Sequence, residues 1–303
     1  MARWKGVSVM SWADCGYTPN VPIPSGACTG AGAGGVGGTP STLQRSRCLR
    51  YAARHVIGSG VGMGEFMRVE RGEGWGEIVL NRPERRNSLI PPLAGEVTQA
   101  LDELQADHDV QSILLRGEGG YFCSGIDLKA LQADPPPDWK GKQVGDVRTM
   151  HLALFSCTKP VIGAFEKFGI NAGAALAFAC DILVAGETAF LQIGEIQQGA
   201  NIPMNAAWLK IKTTEQVAAR LALYGDRVPG PELLRLGIAT EVVADDQVVT
   251  RCREVAARIA GFPKGAGANI VQSLRAQRGI DDPEAFFPKG GNNALLTAAQ
   301  LRS

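Results

Sequence analysis

The stretch that decides the fold runs from Phe168 to Glu195, FGINAGAALAFACDILVAGETAFLQIGE. It places glycine and alanine where a helix should start, follows them with the apolar run DILVAG, and sets a single glutamate beyond. Small residues where a strand hands over to a helix let a ligand approach the backbone closely. A helix N-terminus also offers unpaired N–H groups and a positive partial charge. Two such amides aimed at one carbonyl oxygen form an oxyanion hole, worth about 3–4 kcal/mol per donor. Taken alone, AGAALAFAC is better explained as a helix packed tightly through small residues. The segments around it carry the distinction.

Upstream, FMRVERG and WGEIVLN read as strands joined by the turn signal Glu73-Gly74. NRPERRNS is a loop. PPLAGEVTQALDELQADHD is an amphipathic helix, with Pro91 and Pro92 at its start and Leu93, Val97, Leu101 and Leu104 on one face. VQSILLRG is an apolar strand followed by the glycine-containing loop GYFCSGIDL. The order then repeats as KPVIGAFE, the small-residue helix and DILVAG. This alternation predicts an α/β fold with parallel strands buried on both faces. Between the two units, LQADPPPDWKGKQVGD is too rich in Pro and Gly for a strand or a good helix, and reads as a lid, a binding loop or a disordered connection. From about Val228 the pattern is mostly helical, and an apolar helical tail of this kind predicts an oligomerisation element or plain packing. The expected organisation is an extension over 1–64, a core over 65–228 and a helical region over 229–303.

The chain has 303 residues, a hydrophobic fraction of 45% and a net charge of +1. Such a balance creates no long-range field for nucleic acid or an anionic membrane. The longest apolar run, around Ala172 to Ala179, is far short of the roughly 20 residues of a spanning helix, so a soluble protein is expected. Seven scattered cysteines without a C-x-x-C pair predict buried free thiols in a reducing compartment, the cytoplasm, and no metal site. His55, His108 and His151 are the only histidines, and they read as solvated or packing side chains. Residues 1 to about 64 show no sustained periodicity and have Asp14 as their only acid, which predicts disorder. Arg45, Arg47, Arg50 and Arg54 give that segment some likeness to an organelle transit peptide. The other reading is translation from Met63 or Met67, leaving the extension outside the protein.

Three glycine-containing loops follow strands, yet none matches G-x-G-x-x-G or G-x-x-x-x-G-K-[ST], so neither a dinucleotide nor a Walker loop is indicated. The ordered set does resemble the crotonase superfamily, the enoyl-CoA hydratases and isomerases. NRPERRNSL resembles that family's N-R-P-x-x-x-N-[AS]-L segment, and YFCSGIDLKAL its F-[CS]-[AS]-G-x-D-[LI] motif. KPVIGAF, FACDILVAGETAFLQIGEIQQG and LYGDRVPGPELLRLGIATEVV follow in order, so the resemblance spans about Phe66 to the C-terminus. It implies a crotonase-like α/β spiral of ββα turns with a C-terminal helical trimerisation region, a homotrimer or hexamer, and a CoA thioester as substrate with no separate cofactor. By position it implies an oxyanion hole from the amides of Ile126, following Gly125, and Ala172, with Gly173 leaving room for the thioester. Arg85, Arg86, Asn87 and Ser88 would lie along CoA, with the arginines near its phosphates. Asp127, followed by Leu128, would hold the loop.

The sequence departs from the hydratase pattern at two places. The first of the two hydratase glutamates aligns with Ala175, and the second with Glu195; the segment P-G-x-G-G is replaced by IPMNAAWLK. One carboxylate beside an enolate can still remove a proton and return it elsewhere, the chemistry of a Δ3-Δ2-enoyl-CoA isomerase. The apolar neighbours Phe190, Leu191, Ile193 and Ile196 predict a raised pKa for Glu195. The alternatives are a hydratase with a second acid such as Glu166, and an acyl-CoA-binding protein without chemistry.

Overall fold

The computed structural model describes residues 64–142 and 145–287. The expectations for residues 1–63 and for the stretch beyond Phe287 lie outside the described residues. The main sheet has six strands in the order β1 (Met67–Gly72), β2 (Trp75–Leu80), β3 (Ser112–Gly117), β4 (Val161–Phe165), β6 (Ile182–Gly186) and β9 (Glu241–Val243). β1 and β2 are antiparallel, with Gly72 opposite Trp75 around the expected Glu73-Gly74 turn. Every later pairing in this sheet is parallel. All five residues of β4 are buried, as a strand covered on both faces requires.

Helix α1 (Pro91–Ala106) covers one face, burying Leu93, Val97, Leu101 and Leu104 as its periodicity predicted. Each such side chain contributes about 1.5–3 kcal/mol by leaving water. The helix stops before the predicted HD pair because Asp107 takes an extended conformation as its C-cap. A short α2 (Leu128–Leu131) and helix α3 (Val147–Ser156) follow, then α4 (Ala172–Ala179), α5 (Pro203–Lys212) and α6 (Glu215–Tyr224). α3, α5 and α6 were not anticipated. Their apolar positions are short runs interrupted by polar residues, and their inner faces are defined by packing, α3 on α1, α5 on α4 and α6 on α5.

A second sheet of three strands sits beside the first, in the order β5 (Phe168–Ile170), β7 (Phe190–Gln192) and β8 (Val228–Pro229). FGI and FLQ were read as parts of loops. They are strands because they pair with each other in parallel register, Phe168 opposite Phe190 and Ile170 opposite Gln192. The repeated ββα unit is therefore β4-β5-α4, and the spiral implied by the family resemblance is present.

The chain after Val228 also contributes to the core. α7 (Gly230–Arg235) leads to β9, which pairs with β6, and α8 (Val248–Ala260) covers the other face of the main sheet. Its Val248, Cys252, Val255 and Ala256 pack with Leu114, Ile162, Ala164 and Val184. Sequence patterning ended the core at 228 because β9 is only three residues long. Buried Glu77 on β2 pairs with Arg116 of β3 and Arg253 of α8, which ties helix to sheet. α9 (Ala266–Ala276) and α10 (Pro283–Phe286) complete the described chain. Cys123, Cys157, Cys180 and Cys252 are free and buried, and burial pushes the Cys123 thiol up to about 12.

Candidate active site

Three loops meet where the two sheets come together. Asn87 starts the assembly. It is fully buried, its Nδ2 donates to the carbonyls of Glu118 and Tyr121, and its Oδ1 accepts from the Arg82 amide at 3.0 Å. Arg82, which the motif reading passed over, donates to Asp127 Oδ2 at 3.0 Å and to both oxygens of Ser88. Asp127 also caps α2 by accepting from the Ala130 amide. Burial works against the Asp127 charge, but the Ala130 amide, Arg82 and Arg85 outweigh it and hold the carboxyl below the usual carboxylate range. Asp127 thus ties the loop to Arg82 and to the start of α2. The side chains of Asn87 and Ser88 are committed to the same network, so they shape the loop. Arg85 and Arg86 remain exposed, with Arg85 Nε 3.4 Å from Asp127 Oδ2.

This loop is zipped to the one that carries Ile126. The Leu89 amide donates to Gly125 O at 2.7 Å and the Asp127 amide to Leu89 O at 2.9 Å. Gly125 has φ 90°, and a Cβ there would lie 2.7 Å from Ile170 O and 3.5 Å from Ala172 N. Only glycine permits this approach, which places the Ile126 loop against the start of α4. Gly173 backs onto Cys123, whose carbonyl oxygen a Cβ would overlap. Among the described residues, neither the Ile126 nor the Ala172 amide has an acceptor. For Ala172, the first residue of α4, that follows from helix geometry. Leu128 is exposed at the start of α2.

Glu195 opens a single 3-10 turn, Glu195–Gln198, just beyond β7. Burial raises its pKa to about 7, while its own amide and Asn205 pull weakly the other way. Burial, and no charged neighbour, is therefore the dominant cause. Asn205 of α5 is buried and donates through Nδ2 to Glu195 Oε1 at 3.1 Å and to Asn171 O at 3.0 Å. Asn171, at φ 54° and ψ −115°, accepts from the Gly194 amide through Oδ1 at 2.8 Å. Neither asparagine was singled out from the sequence. The departure IPMNAAWLK was the available signal for Asn205, and an asparagine ahead of a glycine-alanine helix was the signal for Asn171.

Glu166 does not join this site. Burial raises its pKa, and its charged neighbours are Arg116 and Glu118, in the ion-pair cluster below α8. Ala175 is fully buried in the core. His151 accepts from Trp208 Nε1 at 3.1 Å and burial lowers its pKa to about 4, so it is a neutral packing residue; His108 is exposed.

The α/β spiral of the two sheets, with the Ile126 and Ala172 amides unpaired and Glu195 half-buried beyond β7, is the arrangement of the crotonase class. A profile described as Enoyl-CoA hydratase/isomerase matches residues 70–286. Enoyl-CoA hydratase EchA19 of Mycobacterium tuberculosis is 33% identical over 213 residues, covering 69% of this chain and 80% of that protein. An enoyl-CoA hydratase/isomerase from Xanthobacter autotrophicus superposes with a TM-score of 0.64 at 29% identity, over 71% of this chain and 80% of that one. A monofunctional enoyl-CoA isomerase from Mycobacterium smegmatis superposes with a TM-score of 0.59 at 26% identity, over 71% and 94%. The chain belongs to the enoyl-CoA hydratase/isomerase family.

Proposed function

We propose that the protein is an enoyl-CoA isomerase that moves a Δ3 double bond to Δ2. The thioester oxygen accepts hydrogen bonds from the Ile126 and Ala172 amides. Glu195 removes a proton from C2, the C–H electron pair becomes the enolate held by those amides, and the same proton returns at C4. Two amides contributing about 3–4 kcal/mol each acidify C2, and a base of pKa about 7 suits proton transfer at neutral pH. Arg85 and Arg86 are exposed, which supports their pairing with the CoA phosphates.

The lone carboxylate supports isomerisation above hydration. Among the described residues no charged group acts on Glu195, and Ala175 stands where the first hydratase glutamate aligns. Hydration is the second reading. It is favoured by relatives named hydratases and by Glu195 Oε2 and Asn205 Oδ1, two buried acceptors without a donor that a water molecule would satisfy. The helices after β9, with Ile270 and Leu274 exposed on α9, support a homotrimer or hexamer, and the buried thiols support a cytoplasmic setting.

The test is purified protein with trans-3-hexenoyl-CoA, following the conjugated 2-enoyl thioester by ultraviolet absorbance, beside crotonyl-CoA in water. Conjugated product from wild type, and its loss by about 10²–10⁴-fold in Glu195→Gln, is the expected result. Turnover of crotonyl-CoA alone replaces this reading with hydration. Binding without turnover of either substrate replaces it with a non-catalytic acyl-CoA carrier.

A further inference from the structure

Asn205 lies 34 positions after Asn171 and ten after Glu195, yet touches both. It is 2% exposed and belongs to α5, which packs on α4. Both hydrogens of its Nδ2 are used, one on Asn171 O and one on Glu195 Oε1. The orientation of the amide is dictated by these partners. The reverse orientation would set Oδ1 against two acceptors and lose both bonds.

We propose that Asn205 is a positioning residue that selects the oxygen of Glu195 that exchanges protons and holds it in register with the Ala172 amide. This rests on the reading of Glu195 as the base. Oε1 is tied by Asn205, whereas Oε2 is buried with no donor among the described residues. The proton from C2 therefore goes to Oε2, and the C4–H bond forms from the same oxygen. Asn205 Oδ1 is likewise buried without a donor, so two unpaired acceptors sit in one site. A proton on Oε2 converts one of them into a donor, which favours its uptake. Through Asn171 O the same side chain grips the residue that precedes Ala172, so oxyanion hole and base cannot shift independently. A displacement of about 1 Å at such a site can cost about 100-fold in rate.

Substitutions Asn205→Leu, which removes the donor at similar size, and Asn205→Ser, which keeps one, test this against a packing role. Each is compared with Ala206→Ser, a change at the exposed neighbouring position. Expected for Asn205→Leu is a kcat on trans-3-hexenoyl-CoA lower by about 100-fold with KM nearly constant. The acid limb of its pH profile should move upward, because the lost hydrogen bond favoured the carboxylate. Asn205→Ser should recover part of both, and Ala206→Ser should change neither. The carboxyl titration of Glu195, followed by 13C NMR in the substrate-free full chain, is the readout that needs no turnover. Its midpoint should rise in Asn205→Leu. An unmoved titration overturns the proposal even if activity falls, since the loss would then be one of packing. A moved titration in a protein that turns over no 3-enoyl thioester retains the positioning role and removes the isomerase reading.

Discussion

The side-chain oxygen of Asn171 accepts a hydrogen bond at 2.8 Å from the amide of Gly194, so the residue before Ala172 holds the residue before Glu195. The two segments are also strands of one small sheet, β5 and β7. The backbone at Asn171 is strained, with φ 54° and ψ −115°. Glycine accepts such dihedrals but lacks the acceptor. Asn171→Gly should therefore retain its melting temperature within a few degrees while kcat falls about 10–100-fold, a split read by calorimetry beside steady-state kinetics.

The pKa of Glu195 sets the pH behaviour. In the proposed reaction the active form is the carboxylate, so kcat/KM should rise with a single acid limb near pH 7. Stability moves the opposite way. The folded-state pKa is raised above the unfolded value, so the folded protein binds more protons between the ordinary carboxylate range and about 7, and stability falls as pH rises through that window. Glu195→Gln removes this dependence. Its melting temperature should match wild type near pH 4 and exceed it at pH 8.5; equal values at both would show a solvated carboxylate.

Gly125 carries the Ile126 amide past the start of α4. In Gly125→Ala the new methyl meets Ile170 O, at a φ of 90° that side chains resist. The expected cost is about 1–3 kcal/mol of stability. Because the loop must retreat from Ala172, kcat should fall more than affinity for a saturated acyl-CoA measured by titration calorimetry.

Arg82→Ala removes the buried partner of Asp127 and leaves it the exposed Arg85, the Ser88 hydroxyl and the Ala130 amide. The expected loss is about 1.5–3 kcal/mol in urea unfolding, that of a hydrogen bond to a charged group. Ser88→Ala, which deletes one hydroxyl from the same network, should cost about 1 kcal/mol. A near-neutral Arg82→Ala would mean that Arg85, Ser88 and the Ala130 amide suffice to hold Asp127.

Much of the site was legible because it is built from backbone. A glycine at a handover from strand to loop leaves a mark in sequence, and so does a helix start without bulk; the family resemblance then singled out Gly125, Ala172 and Gly173 by position. Asp127 was read as holding its loop, and it pairs with Arg82, which was not foreseen. That the Asn87 and Ser88 side chains bond within the loop was not legible, because motif position does not report whether a polar side chain is already used. FGI and FLQ were missed as strands because three residues carry too little alternation to stand out.

The amino-acid order by itself determined the α/β alternation, the parallel sheet, the small-residue helix and a single carboxylate in apolar company. These follow from local periodicity and from side-chain size, which act between neighbours in the chain. Tertiary structure alone decided that Asn205 would reach Glu195 and Asn171, that Glu166 would turn to the ion pairs of Arg116, and that residues 241–243 would complete the main sheet. Those outcomes depend on which hydrogen-bonding groups are left without water once the helices pack, and the need to pair each of them is imposed only by the assembled fold.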